Sequence, residues 1–276
     1  MDSLYILTAI VELDNLSQVV TLNQYSKPGV QAQISPEIPI LVPVSAYNTT
    51  MKILSGKILT TTLLVVILAA PFLTAAENPN QLTIARLKYF GGGDWYWGNS
   101  SLPNLIDFIK HHTSIPVADE EVRVTLEDDR LFNYPFLYIT GHGPIKLSDS
   151  EAEKLNRYLT AGGFVFCNDT YGLRESFFIS MRKVLPDVDP VELPFNHDLF
   201  SCYYNFPNGL PKIHKHDGNP PQAFGWFVEG RLAALFAYES DIGDGWEEPQ
   251  VHNDPEEKRE QALRMGVNIV VYALTN

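Results

Sequence analysis

Residues 135–167, which read PFLYITGHGPIKLSDSEAEKLNRYLTAGGFVFC, contain a complete strand–helix–strand unit. The runs 136–140 and 164–167 do not alternate between apolar and polar residues, which is typical of strands covered on both faces. Between them, Ser148 and Glu151 have the spacing of a capping box, and the helix that follows ends at a pair of glycines. Two buried strands joined by a helix favour a parallel sheet.

The same alternation of strands and helices extends over the chain from residue 82. The predicted strands are 82–89, 121–126, 136–140, 164–167, 223–228 and 231–238, and the predicted helices are 101–112, 148–160, 175–184 and 256–273. Ser101 is the expected cap of the first helix. Residues 186–221 are predicted mostly as loop, with a short strand near Tyr203. The Glu229-Gly230 pair indicates a hairpin, so we expect an α/β domain with a mostly parallel sheet and an antiparallel carboxyl-terminal hairpin.

The first 76 residues are expected to lie outside this domain. Residues 51–76 contain two lysines, an apolar run and small residues at the end, which are the three parts of a secretory signal. Because a signal should begin a protein, we interpret Met51 as the initiator and residues 1–50 as an unstructured extension assigned from an upstream start. The alternative is an uncleaved membrane anchor over residues 58–76, which carry no charge. Both interpretations place residues 77–276, a single domain, outside the cytoplasm, in the periplasm or cell envelope.

Net charge and cysteine content restrict the classes of function that this chain can have. The chain has 33 acidic and 20 basic residues, a net charge of −13, and removal of residues 1–76 leaves 29 acidic and 17 basic residues, a net charge of −12. This charge excludes a nucleic-acid surface, which needs clustered lysine and arginine. Two cysteines cannot form a disulfide framework. Cys167 and Cys202 either form one disulfide in an oxidising compartment or stay free, with Cys167 as an inert core thiol.

Ionisable or aromatic residues next to glycine follow four of the predicted strands. The carboxyl ends of parallel strands meet at one edge of a sheet, which is where open α/β sheets bind ligands. The candidate ligand-binding residues are Asp94, Trp95, Trp97, Asp241 and Asp244, and the candidate catalytic residues are His142, Asp169 and Glu239. Structural explanations stay open for several of them. The aspartates can cap helices, His142 can bond to backbone in a turn, and the tryptophans can pack as a lid.

Two further groups contain metal-ligand residue types without a known spacing. His214, His216 and Asp217 lie close together in the chain and segment 252–254 could add to them, but the spacing of a zinc motif is missing. Segment 241–247 has the composition of a calcium-binding loop and does not match the EF-hand pattern. We therefore predict no metal site, and the sequence leaves the cofactor undefined.

Five segments of the sequence resemble the bacterial domain-of-unknown-function family 4159. They are residues 87–96, 138–143, 162–166, 208–214 and 238–246, and the resemblance covers about residues 82–275. That family is similar to the class I glutamine amidotransferase-like superfamily, which implies a flavodoxin-like three-layer α/β sandwich. Active members place a cysteine on the tight turn after a strand and pair it with a later His and Glu. Here the turn after Cys167 offers residues 168–171 instead, and no His-x-Glu follows the late strand, so glutaminase activity is not expected.

Three functions are consistent with these observations. The first is binding of a carbohydrate or another small polar ligand through the aromatic glycine-rich loop and the acidic strand ends. The second is hydrolysis, with His142 as base, Asp169 or Glu239 orienting it, and Thr170 or a water attacking. The third is a module that binds other envelope proteins through residues 186–221, with the partner unknown. Membrane contact is expected only through residues 58–76, if they are not cleaved.

Overall fold

The computed structural model describes residues 80–276 and two strands near the amino terminus. The chain divides into two compact units, Met1–Ala75 and Ala76–Asn276. In the first unit, strands Ile6–Leu13 and Leu16–Asn23 form an antiparallel pair, in a region for which the sequence predicted no structure. The predicted signal segment 51–76 lies outside the described residues, so the export signal stays a prediction.

Within residues 80–276, seven strands form one sheet. They are β1 (Ile84–Leu87), β2 (Val122–Val124), β3 (Phe136–Ile139), β4 (Phe164–Asn168), β5 (Val191–Glu192), β6 (Gln222–Val228) and β7 (Arg231–Tyr238). Their order across the sheet is β2-β1-β3-β4-β7-β6-β5. The first five strands in this order are parallel, and β6 is antiparallel to both of its neighbours. The predicted mostly parallel sheet with a carboxyl-terminal antiparallel hairpin is confirmed.

Helices cover both faces of the sheet. They are α1 (Ser101–His112), α2 (Asp149–Thr160), α3 (Arg174–Val184), the short α4 (Ile242–Gly245) and α5 (Pro249–His252), and α6 (Glu256–Thr275). Apolar residues of α1 and α6 pack with Tyr138 and Phe166, whereas those of α2 and α3 pack with Leu137 and Val165. Successive residues of β3 and β4 therefore face opposite helix layers, as in a three-layer sandwich. The non-alternating apolar runs of these strands follow from this double coverage.

Local signals in the sequence explain several element boundaries. The capping box is confirmed, since the Ser148 hydroxyl accepts from the Glu151 N–H and the Glu151 carboxylate accepts from the Ser148 N–H. The hairpin turn is also confirmed, because Glu229 and Gly230 both have positive φ, as a type I′ turn requires.

Two expectations about local structure were wrong, and one open question is answered. Ser100, not Ser101, is the cap residue of α1, and the Ser101 hydroxyl donates to the Gly98 carbonyl. Tyr203 lies in turns, and the short strand of this loop region is β5. Cys167 and Cys202 are free thiols, so they do not form the disulfide that the sequence left open.

The two outermost strands of the sheet are both short, with three residues in β2 and two in β5. Among the described residues, no helix combines the length and apolar character that crossing a bilayer requires.

Candidate functional site

The loops that follow β1, β3, β4 and β7 lie at one edge of the sheet, because these four strands are parallel. The strand order reverses at β1, since the chain passes outward to β2 and returns on the other side to β3. Such a switch point opens a crevice at the carboxyl ends of the strands, where doubly wound folds bind ligands. The loops after β1 and β3 meet there, and the Asp94 N–H donates to the His142 carbonyl over 3.1 Å.

Asp94 and His142 form a pair at this switch point. One Asp94 oxygen accepts from the His142 backbone N–H, and the other lies 3.1 Å from His142 Nδ1. Gly141, with φ of 133°, permits this contact, because a Cβ there would lie 2.8 Å from the Asp94 carbonyl oxygen. The Trp97 ring meets the His142 ring edge to face, with the centroids 4.6 Å apart. The imidazole is thus held on two sides while its side chain stays 40% exposed.

Arg86 fixes the position of Trp97 and was missed by sequence reasoning. Its guanidinium is fully buried, pairs with Glu121 at 2.9 Å and donates to the carbonyls of Trp97 and Gly98. The one available signal was an arginine in the middle of predicted strand 82–89, since a charge that becomes buried in a sheet needs partners. With its backbone held in this way, Trp97 donates its indole N–H to Asp244 Oδ1 over 3.0 Å.

Histidines of the loop before β6 meet carboxylates and a histidine of the loops after β7. Asp241 Oδ2 lies 2.7 Å from His214 Nδ1 and 3.2 Å from His216 Nε2. Asp244 Oδ2 lies 3.4 Å from His252 Nε2 and 3.7 Å from His214 Nδ1. Two further carboxylates complete the group. Asp254 Oδ2 lies 2.8 Å from His214 Nε2, and Glu247 Oε2 lies 2.7 Å from His252 Nε2. We call His214, Asp241, Asp244, Glu247, His252 and Asp254 the histidine–carboxylate cluster.

The electrostatics of this cluster follow from burial and hydrogen bonding. Hydrogen bonding to Asp241 raises the pKa of His214 to about 9. Burial, together with the charge of Asp241, raises the pKa of Asp244 to about 7. Buried carboxylates next to one another therefore make this edge of the sheet favourable for cations.

A cleft lies beside the cluster, between the loops that follow β4 and β7 and the loop that precedes β6. It has a volume of about 310 Å³ and is lined by Asp169, Tyr171, Gly172, Arg174, Glu175, His216, Asp217, Tyr238 and Glu239; we call it the Tyr171 cleft. The exposed Tyr171 ring stacks on His216 with the centroids 5.1 Å apart, and its hydroxyl donates to Asp217 over 3.2 Å. The Arg174 guanidinium lies 4.9 Å from the centre of the Tyr238 ring. The cleft thus combines flat rings with carboxylates.

A family model described as a domain of unknown function (DUF4159) matches residues 83–274. The chain belongs to this family. A search of curated proteins found no match. The DUF4159 match begins just before β1 and ends within α6, so it contains the Asp94–His142 pair, the histidine–carboxylate cluster and the Tyr171 cleft.

The DUF4159 domain brings most of the predicted site residues to one edge but pairs them differently from the prediction. Within residues 80–276, the hydrogen-bond partner of the His142 ring is Asp94, not Asp169 or Glu239. Asp169 accepts from the Leu173 N–H at the start of α3, and burial raises its pKa to about 6. Glu239 accepts from Lys212 and from the Asp217 N–H.

Trp95 packs apart from the other predicted site residues of the DUF4159 domain. Its ring contacts the cationic groups of Lys88 and Arg123 and the edge of Tyr96.

Thr170, the candidate nucleophile, is buried, and its hydroxyl lies 3.1 Å from that of Thr140. A buried and hydrogen-bonded hydroxyl is poorly placed to attack a substrate.

Proposed function

We propose that the DUF4159 domain binds a small carbohydrate in the Tyr171 cleft. The observation that carries this proposal is the stacked pair of Tyr171 and His216 beside the carboxylates of Asp217 and Glu239. An aromatic face packs against the apolar face of a sugar ring, and carboxylates accept hydrogen bonds from its hydroxyl groups. The volume of about 310 Å³ is at the lower end of the range of small-ligand sites, which favours a monosaccharide.

The charge of the cleft favours a neutral or cationic ligand over an anionic one. Asp169, Glu175, Asp217 and Glu239 line it with a single guanidinium, that of Arg174. Because Arg174 already packs against the Tyr238 ring, a phosphate or carboxylate ligand would meet more repulsion than attraction.

Titration of the full chain with a panel of neutral monosaccharides, followed by calorimetry and NMR, tests this proposal. Tyr171→Ala should weaken binding by at least tenfold, because it removes the stacking face. Tyr171→Phe keeps the ring and should bind within about threefold of wild type. Tyr203→Ala is the matched control, since Tyr203 is also exposed and does not line the cleft. Absence of binding across the panel, or equal affinity in Tyr171→Ala and wild type, would refute the proposal.

The Asp94–His142 pair favours hydrolysis as a second candidate function. A carboxylate bonded to Nδ1 orients the imidazole so that Nε2 can accept a proton from water, as in a general base. Because Thr170 is buried, an activated water is the nucleophile in this proposal. A screen with ester, glycoside and phosphoester substrates tests it. His142→Gln should lower any turnover by about 10²- to 10⁴-fold, and turnover that survives this change at the wild-type rate would argue against it.

Export and the amidotransferase-like relationship are also proposals. The composition of residues 51–76 supports export, and amino-terminal sequencing of the exported protein should find a mature end near Glu77.

The strand order β2-β1-β3-β4 supports the amidotransferase-like relationship, because flavodoxin-like sheets begin with this order. Glutaminase activity is not expected, since Cys167 lies inside β4 and burial raises the pKa of its thiol. Protein binding through residues 186–221 stays a prediction.

A further inference from the structure

We propose that His214, Asp244 and His252 bind one divalent transition-metal cation. One donor atom from each of these residues lies within 4.8 Å of the other two. Two imidazoles and one carboxylate are the protein ligands of several catalytic zinc sites and of non-haem iron sites. The inference concerns the histidine–carboxylate cluster and does not depend on sugar binding in the neighbouring Tyr171 cleft.

Two of the three separations between donor atoms are close to those around a tetrahedral ion. Ligand atoms about 2.0–2.1 Å from a tetrahedral zinc ion lie about 3.3 Å from one another. Asp244 Oδ2 lies 3.4 Å from His252 Nε2 and 3.7 Å from His214 Nδ1. Small side-chain rotations would therefore bring the three donors into the first coordination shell.

Neighbouring groups orient the ligands as in known metal sites. Trp97 donates to Asp244 Oδ1, which leaves Oδ2 directed toward the two histidines. Asp254 accepts from His214 Nε2 at 2.8 Å. A carboxylate on the far nitrogen fixes the imidazole tautomer, which is the usual outer-shell arrangement, and a metal at Nδ1 would take the place of the proton now shared with Asp241 Oδ2.

A separate observation also points to cation binding at this cluster. Asp241 is 1% exposed, and its Oδ1 has no hydrogen-bond partner among the described residues. A buried carboxylate oxygen without a partner is costly and calls for an explanation such as an ion. The Asp241 carboxylate lies 2.7 Å from the same His214 Nδ1 that would bind the metal, so a cation there would also offset the charge of Asp241.

Nitrogen ligands favour transition metals over Mg²⁺ and Ca²⁺, which prefer oxygen ligands. The competing explanation is a purely structural network in which protonated histidines bridge the carboxylates. The two explanations differ in the outcome of metal titration, because a network built on protonated histidines must lose those protons to bind an ion and would therefore bind it only weakly.

The test uses the full chain without a histidine tag, stripped with a chelator and titrated with Zn²⁺ and Co²⁺. We expect one ion per chain, a rise in Tm with Zn²⁺, and the strong visible absorption of tetrahedral Co²⁺. His214→Ala and His252→Ala should each weaken Zn²⁺ binding by at least 100-fold. Asp254→Asn should weaken it by about 10- to 100-fold and shift the Co²⁺ spectrum, since Asp254 is a positioning residue.

Two controls separate this inference from folding defects and from the proposed sugar site. His111→Ala removes an exposed histidine that also pairs with an aspartate, and it should leave Zn²⁺ affinity unchanged. Tyr171→Ala should also leave Zn²⁺ affinity unchanged, so failure of the sugar proposal does not affect this one. The inference is overturned if folded wild-type protein takes up no stoichiometric ion, or if His252→Gln, folded by circular dichroism, binds Zn²⁺ as tightly as wild type.

Discussion

The indole N–H of Trp97 donates to Asp244 Oδ1 over 3.0 Å, although the two residues are 147 positions apart in the chain. This bond connects the loop after β1 to the short helix after β7. Since Trp97 also contacts His142, one side chain joins the Asp94–His142 pair to the histidine–carboxylate cluster. The arrangement at the sheet edge therefore depends on contacts that only the folded chain can form.

Replacing Trp97 tests the strength of this connection. Trp97→Phe keeps a ring but leaves a buried Asp244 oxygen without its donor, so we expect the free energy of unfolding to fall by about 1.5–3 kcal/mol. Urea denaturation in the presence of a chelator measures the change. Trp95→Phe is the control, since Trp95 is also half-buried but packs on Lys88, Arg123 and the apolar layer beneath α2 and α3, and it should lower the free energy of unfolding by less than about 1 kcal/mol. Equal losses in the two variants would contradict the assigned role of the Asp244 bond.

Arg86 and Arg123 both contact Glu121 but differ in burial. Arg86→Met leaves the Trp97 and Gly98 carbonyls and Glu121 without their buried donor. We therefore expect the free energy of unfolding to fall by about 3–5 kcal/mol. Arg123→Met removes an exposed partner of the same carboxylate and should cost less than about 1 kcal/mol. Thermal and urea unfolding of the two variants give the comparison. Similar costs would show that Arg86 does not hold the Trp97 loop.

The Tyr138 hydroxyl is buried without a hydrogen-bond partner among the described residues. Tyr138→Phe should therefore leave stability unchanged or raise it by up to about 1 kcal/mol, because an unpaired polar group is removed. Gly243→Ala should cost about 1–3 kcal/mol, since its Cβ would clash with the Tyr138 hydroxyl and lie 2.8 Å from Asn168 Nδ2. In a double-mutant cycle, the Gly243→Ala cost should be at least about 0.5 kcal/mol smaller in the Tyr138→Phe background. If the free-energy changes of the two single variants simply add in the double variant, the proposed clash between them does not occur.

Asp169 should make stability depend on pH. Burial raises its pKa from 3.8 to about 6, so the folded state binds more protons than the unfolded state between these values. Stability should then fall as pH rises through this window and stay lower above it. Asp169→Asn keeps an oxygen for the Leu173 N–H and removes the charge.

The free energy of unfolding of Asp169→Asn should therefore exceed that of wild type by on the order of 1–3 kcal/mol at pH 7.5. At pH 3.5 it should not exceed the wild-type value. Urea denaturation at the two pH values measures both quantities. A difference from wild type that is the same at pH 3.5 and pH 7.5 would contradict this prediction.

The sequence predicted the elements whose signals are local. The strands of the 135–167 unit, the Ser148 capping box and the Glu229-Gly230 turn were confirmed because each depends on residues close together in the chain. The cap of α1 shifted by one residue because the Ser101 hydroxyl bonds back to Gly98 instead of the helix. The meeting of the strand ends at one edge also followed from the sequence, since parallel strands require it.

The pairing of side chains at that edge did not follow from the sequence. Segment 214–217 with 252–254 and segment 241–247 were two separate weak metal signals, and only the folded chain places His214 between Asp241 and Asp254. The Ile213 N–H donates to the Ser240 carbonyl, and this long-range backbone contact positions His214. No local spacing encodes such a contact. For the same reason, Asp94 was not recognised as the partner of His142.

The short outer strands of the sheet affect how the domain behaves at high concentration. A long exposed strand offers a row of unpaired N–H and C=O groups to which another molecule can add a strand of its own, and this is a common first step toward aggregates. With three residues in β2 and two in β5, each outermost strand by itself offers few such groups. Addition of a foreign strand to β2 or to β5 is thereby disfavoured, and with it one route by which copies of the domain could join edge to edge.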